Sequence, residues 1–409
     1  MSTYTTLSFD NTSNAFEYKS DSQLKKAHFL FTFMGYNWLV QIGARVTPWA
    51  IRSGLPVNGI IRKTLFEQFI GGETLEQTAK VADMLEKFHV QVILDYGVEG
   101  GDYGEEEKDR SRDQFMKVID YAATQQNIPF MSIKVTGIVR FGLLEKMDTL
   151  MHQQEGSLIK RYEKTLTLLN EEERAEWQRL WDRMEMICKD GAEKNVGVLI
   201  DAEETWIQDP VDALVTLMMD RFNKEKAIVY NTAQMYRHDR LQFVKDCHEA
   251  AVQRNFILGM KLVRGAYMEK ERKRAVEQGY PSPIQPDKES SDRDFNAAVE
   301  FCIDNIDRVA LIVASHNEYS NMLTTKLMDE RGIRHNHPHV HLSQLYGMSD
   351  HITFNLAKAG FSVSKYLPFG PIKDVVPYLM RRAQENSSVK GQTGRELSLL
   401  TKEINRRGL

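Results

Sequence analysis

Tyr378, Arg381, Arg382 and Glu385 stand at spacings of three, four and seven residues. A helix places such positions on one side, so two guanidiniums would flank an aromatic ring with a carboxylate in reach. Paired guanidiniums suit bidentate recognition of a carboxylate or phosphate, and Glu385 can orient one of them. The competing reading is a solvated basic face with a salt bridge, the usual fate of charge pairs on helices. A second cluster, Lys261-Leu262-Val263-Arg264-Gly265-Ala266-Tyr267, sets two cations, a glycine and an aromatic ring in one strand-to-loop turn. Gly265 lets the backbone approach a ligand closely, and the cations could face a flavin, a phosphate or a carboxylate. A salt-bridged rim is the bland alternative. His335, His337, His339 and His341 alternate as metal ligands on a strand can. Pro338 interrupts the run, which comes before a strand or at its start, so surface histidines are expected there and no metal site.

These residues need elements to hold them. From residue 91 onward, short apolar or β-branched runs alternate with amphipathic stretches. The runs are 91–97, 130–138, 196–204, 227–235, 258–267, 310–317, 339–347 and 361–370. Helical stretches at 105–124, 209–223, 237–254, 291–307, 318–330, 350–359 and 372–385 follow most of them. Eight strands with helices behind them predict a (β/α)8 barrel of the α/β class. Residues 1–90 read as a helical N-terminal arm, 91–390 as the barrel and 391–409 as a C-terminal tail or helix. Residues 140–195 read as a helical insertion after the second strand. A doubly wound open sheet would call for a Gly-rich phosphate turn, and no G-x-G-x-x-G or Walker A sequence occurs.

In a barrel the site lies at the C-terminal ends of the strands. Those ends carry Lys134, the run Asp201-Ala202-Glu203-Glu204, Asn231 and Gln234, Lys261 to Tyr267, His316-Asn317, Gln344-Leu345-Tyr346 and Tyr366. Burying so many polar groups without partners would be costly, so the set suggests a large polar ligand.

The chain has 409 residues, 42% hydrophobic and 27% charged, with a net charge of −4. This is the composition of an ordinary globular protein without a nucleic-acid signature. Three well-separated cysteines argue for a reducing compartment. The first residues lack a signal or transit pattern, and no apolar run reaches ~20 residues. The segment 29–40 (FLFTFMGYNWLV) is read as a buried helix, with a lipid- or partner-facing surface as the alternative.

Several segments together resemble the proline dehydrogenase (proline oxidase) family. They are Met131-Ser132-Ile133-Lys134, DAEETWIQ (201–208), NTAQMYRHD (231–239), KLVRGAYMEKER (261–272), ASHN (314–317), LYGMSD (345–350) and YLPFGPIKDVVPYLMRRAQENSS (366–388). The resemblance covers roughly 130–390 in order and implies a distorted TIM-like barrel in a stand-alone form. It implies FAD as cofactor and oxidation of L-proline to 1-pyrroline-5-carboxylate, with hydride transfer to flavin N5. Electrons would then pass to a membrane quinone, from a cytoplasmic enzyme in peripheral contact with the membrane. A downstream pyrroline-5-carboxylate dehydrogenase would consume the product.

By the same resemblance, Arg381 and Arg382 clamp the proline carboxylate, with Lys134 as a third cation. Tyr267, Leu345, Tyr366 and Tyr378 form the apolar cage. Asp201 is an acidic site residue that organises the cations, and Lys261 is the cation beside flavin N5. Ala202, Asn231, Val263, Arg264, Gly265, Tyr267, His316, Asn317 and Glu385 complete the cofactor contacts. Many bacterial relatives have Arg at 261 and Lys at 264, reversed here, and Asn231 stands where others carry Gln. The Tyr366 hydroxyl would crowd a 4-hydroxyl group, which favours proline over 4-hydroxyproline. The rival readings are a Schiff-base barrel aldolase using Lys134 or Lys261, a non-enzymatic amino-acid-binding barrel, and a His-metal hydrolase.

Overall fold

The computed structural model describes residues 7–36, 59, 62–97, 104–388 and 390–409, without the side chains at 373 and 383–393. Eight parallel strands follow sequence order in a closed barrel: β1 (Gln91–Tyr96), β2 (Phe130–Ile133), β3 (Gly197–Ile200), β4 (Val229–Gln234), β5 (Leu258–Val263), β6 (Val309–Ala314), β7 (Val340–Leu345) and β8 (Val363–Phe369). All eight fall where the apolar runs predict strands. Several stop earlier than those runs. β2 gives way to the 3-10 turn Val135–Gly137 and β5 ends at Val263, so the polar residues that follow are carried on loops.

The chain forms two compact units. One comprises Val98–Ser315 and Tyr319–His341 and holds β2 to β6. Strand pairing fixes which side chains share a face. Thr232 pairs with Lys261 and Gln234 with Val263, whereas Asn231 pairs with Met260. Successive residues of a strand point to opposite faces, so Lys261 and Gln234 share one face and Asn231 takes the other. On the Lys261 face, Phe130 packs edge-on to Tyr230 at 5.6 Å and to His341 at 5.1 Å. Gly197 and Gly259 make room for these rings. A Cβ on Gly197 would lie 2.4 Å from the Phe130 ring, and one on Gly259 would lie 2.9 Å from that of Tyr230.

The insertion after β2 is helical as expected, in three pieces: Phe141–His152, Leu158–Leu168 and Glu171–Lys194. A reciprocal cap between Asn170 and Glu173 starts the last of these, and Asn195, in left-handed conformation (φ 57°), ends it. Trp177 Nε1 donates to the Tyr162 hydroxyl at 2.8 Å, tying two of the pieces together. The helix Met268–Gln278 after β5 was not among the expected helical stretches. Its sequence is almost wholly polar, so the apolar periodicity that reveals helices is weak there.

The other unit comprises Met1–Gly97, His316–Glu318 and Leu342–Leu409. Here β8 pairs with β1 and β7. The barrel helix Ile372–Ser388 buries Val375, Val376 and Leu379 against Phe31, Met34 and Phe69 from the N-terminal arm and Leu399 and Leu400 from the helix Lys390–Arg407. Helix Asp21–Met34 buries Leu24, Ala27, Leu30, Phe31 and Met34, so the expected burial of the segment 29–40 holds on one side of the helix only. Phe29 and Phe33 on its other side are exposed, as is Tyr36 just beyond its end, and residues 37–40 of that expectation lie outside the described ones. No described helix is long and apolar enough to cross a membrane.

Candidate active site

Within the unit holding β2 to β6, three predicted residues meet. Asp201 follows β3, where its backbone N–H donates to Ile133 O at 2.9 Å. Its carboxylate accepts a hydrogen bond from Lys261 of β5 and lies 4.0 Å from Lys134 Nζ, just past β2. The three side chains are only 5–15% exposed. One carboxylate thus meets two largely buried ammoniums, which can attract an anion or stabilise developing negative charge.

Glu203, two residues on, is buried, and the Thr136 hydroxyl lies 2.8–2.9 Å from both its carboxylate oxygens. Burial pushes its pKa up to about 7, against the opposing pull of Lys134. Gln234 Nε2 donates to Glu203 O at 2.6 Å. Asn231 is directed elsewhere. Its amide donates to Asp212, in the helix Gln208–Phe222, at 3.0 Å, and its own oxygen accepts from Thr232 N. The strand pleat therefore withdraws Asn231 from the face that carries Lys261, and Gln234 is the β4 amide on that face. Only the phase of alternation separates the two, and sequence alone leaves that phase open.

Arg264 is clamped by its own neighbours. It pairs with Asp292, donates to Ser315 Oγ at 2.6 Å and Ser320 Oγ at 3.1 Å, and stacks on Phe295 at 3.9 Å. Val263 is the last residue of β5, Ala202 is buried, and Tyr267 begins the helix Met268–Gln278. Gly265 adopts φ 97°, a conformation that favours glycine. Glu271 anchors this loop by accepting from Thr205 N and Oγ1, both at 2.7 Å.

In the other unit, Leu345 and Tyr366 are strand partners and share a face. Tyr346 N donates to Tyr366 O at 2.9 Å. On the helix Ile372–Ser388, the Arg382 guanidinium lies 5.0 Å from the Tyr378 ring centroid, and both residues are buried. Arg381 is half-buried. The predicted side-chain role of Glu385 lies outside the described residues. The His316 ring is held through Nδ1 by Ser349 Oγ at 2.9 Å, and Asn317 is half-buried in the same turn.

The histidine run divides. His335 bonds to Asp329, and His339 to Ile306 O. His341 departs from the surface expectation. It is buried in β7, and burial holds its pKa down at about 3, so the ring stays neutral. Among the described residues the one group of three with ligand atoms close together is Asp148, His152 and Asp209. There Arg161 already pairs with Asp209 at 3.0 Å.

Comparison with known proteins matches this architecture to one family. The family model described as proline dehydrogenase matches residues 78–395. "Proline dehydrogenase 1, mitochondrial" of Dictyostelium discoideum is 33% identical over 86% of this chain and 66% of its own length. A hydroxyproline dehydrogenase of Xenopus laevis is 30% identical over 98% of this chain and 90% of its own. Among solved structures, proline utilization A from Bdellovibrio bacteriovorus inactivated by N-propargylglycine superposes with a TM-score of 0.69 at 20% identity. That match covers 93% of this chain and 38% of the larger one, and it bears on fold alone. On the extent of the family match, the chain belongs to the proline dehydrogenase family.

Proposed function

We propose that this protein oxidises L-proline to 1-pyrroline-5-carboxylate with FAD as its cofactor. The observation that carries the reading is the Lys134–Asp201–Lys261 group at the ends of β2, β3 and β5, in a chain of this family. A carboxylate substrate and a dinucleotide both bring negative charge, and this chain offers Lys134, Lys261, Arg264, Arg381 and Arg382 for it. The donor set fits a flavin dinucleotide. Lys261 is a buried cation fixed by Asp201, and nothing lies within 4 Å of where a Cβ on Gly265 would stand. When bound, FAD would supply the acceptor for the hydride leaving the ring carbon next to nitrogen.

The residues take separate roles. Arg381 and Arg382 bind the substrate carboxylate, and charge-assisted bonds of this kind fix the register of a small ring. Lys134 adds a further cation for the substrate. Tyr267, Leu345, Tyr366 and Tyr378 exclude water from its apolar face. Lys261, oriented by Asp201, Ala202, Val263, Arg264, Gly265, Gln234, His316, Asn317 and Glu385 serve the cofactor. A quinone takes the electrons onward at the membrane surface, and a separate pyrroline-5-carboxylate dehydrogenase consumes the product. Both of these steps rest on the family resemblance.

The clamp is tested by Arg381→Ala and Arg382→Met. Each removes bonds to a charged group, so the proline KM should rise about ten- to a hundredfold with the circular dichroism of the fold unchanged. Wild-type kinetics in both variants would remove the clamp. The second reading is a 4-hydroxyproline dehydrogenase, which the Xenopus relative's name favours.

A further inference from the structure

The turn after β7 is pinned on two sides. Gly347 has φ 79°, and a Cβ there would lie 2.0 Å from Gln68 O. Gln68 Nε2 in turn donates to Gly347 O at 2.8 Å. Two residues on, Ser349 is a non-glycine residue in left-handed conformation, φ 51° and ψ 42°. Such a conformation persists only where its surroundings hold it. Ile352 N and Thr353 N donate to Ser349 O at 3.0 and 3.2 Å, and on the other side of the residue the buried carboxylate of Glu396 accepts from Ser349 N. The Ser349 hydroxyl is thereby presented to His316 Nδ1 at 2.9 Å. The neighbouring Arg395 reaches the same region independently. It bonds to Glu318, at the start of the helix that follows His316 and Asn317, at 2.7 Å. Glu318 also bonds to His351 at 3.0 Å.

We propose that the helix Lys390–Arg407 sets the position of the His316 imidazole for the cofactor, with Glu396 as a positioning residue acting through Ser349. This rests on the flavin reading above and extends it to a helix outside the eight barrel repeats. Glu396 touches neither substrate nor cofactor in this account. It fixes the backbone of Ser349, and the Ser349 hydroxyl then fixes ring orientation and tautomer, as a hydrogen bond to one imidazole nitrogen does.

The test uses the full chain with 15N-labelled histidine, the His316 signal being assigned from His316→Gln. Ser349→Ala should move the His316 nitrogen shifts in the apoprotein and weaken FAD binding about three- to tenfold, the size of one neutral hydrogen bond. Glu396→Leu should move the same signals, and in a Ser349→Ala background it should move them no further. Glu396→Gln, which keeps an acceptor, should stay near wild type. If Glu396→Leu fails to fold, Glu396→Ala takes its place in the same comparison, because Ser349→Ala by itself reads only the Ser349–His316 contact. Unmoved His316 signals, or moved signals with unchanged FAD affinity, would overturn the inference. A wild type that takes up no FAD would overturn the flavin reading, while the His316 signals still decide the contact chain.

Discussion

Glu203 shows how burial can create a titration in the working pH range. Its folded pKa of about 7 lies above the ordinary 4.5 because desolvation outweighs Lys134 and Thr136. The sign follows from linkage. The protonated form is the one the fold favours, so the contribution is whole below about 4.5 and is lost as pH rises through about 7. Glu203→Gln should therefore flatten the fall in denaturant midpoint between those pH values. An unchanged slope would mean that Glu203 stays ionised throughout.

On the function proposed above, Tyr366 is the residue expected to set substrate choice. It shares a face with Leu345 and is half-buried; by the family resemblance its hydroxyl would crowd a 4-hydroxyl on the substrate. The wild type should turn over proline faster than trans-4-hydroxyproline, and Tyr366→Ser should narrow the ratio. Faster turnover of trans-4-hydroxyproline by the purified wild type would favour the alternative reading.

Among the elements, the helix Gln208–Phe222 is joined to β4 and to the helix Arg240–Arg254 through Asp212. That carboxylate is fully buried and accepts from Gln208 at 2.8 Å, Asn231 at 3.0 Å and Arg240 at 2.8 Å. Arg240→Met would leave the charge without its counter-ion, a loss of about 3–5 kcal/mol by the general behaviour of broken buried pairs. Chemical unfolding checks this. A loss under ~1 kcal/mol would mean that the pair is worth no more than an exposed one.

The eight strands were legible because each is a short apolar run, and buried parallel strands read that way. The insertion was legible because Trp177, Leu180 and Met184 recur at helical spacing. The helix Met268–Gln278 was not, since Glu271 and Ala275 are its only buried residues. The site was legible as residue types at strand ends. Its wiring was not. Thr136 and Glu203 are 67 residues apart, and Ser349 and Glu396 are 47 apart, separations that only the closed fold spans.

For the whole molecule, the chain contributes a closed barrel with two cations and a carboxylate grouped at strand ends, and the family match joins that architecture to proline chemistry. The account stands on a bound flavin that proline reduces. Anaerobic titration of the purified protein with L-proline, followed by visible absorbance, tests this most directly. The protein as purified should be yellow, and its flavin band should bleach in proportion to added proline and return on admitting a quinone. A colourless protein, or a flavin band that excess proline leaves intact, would contradict the account.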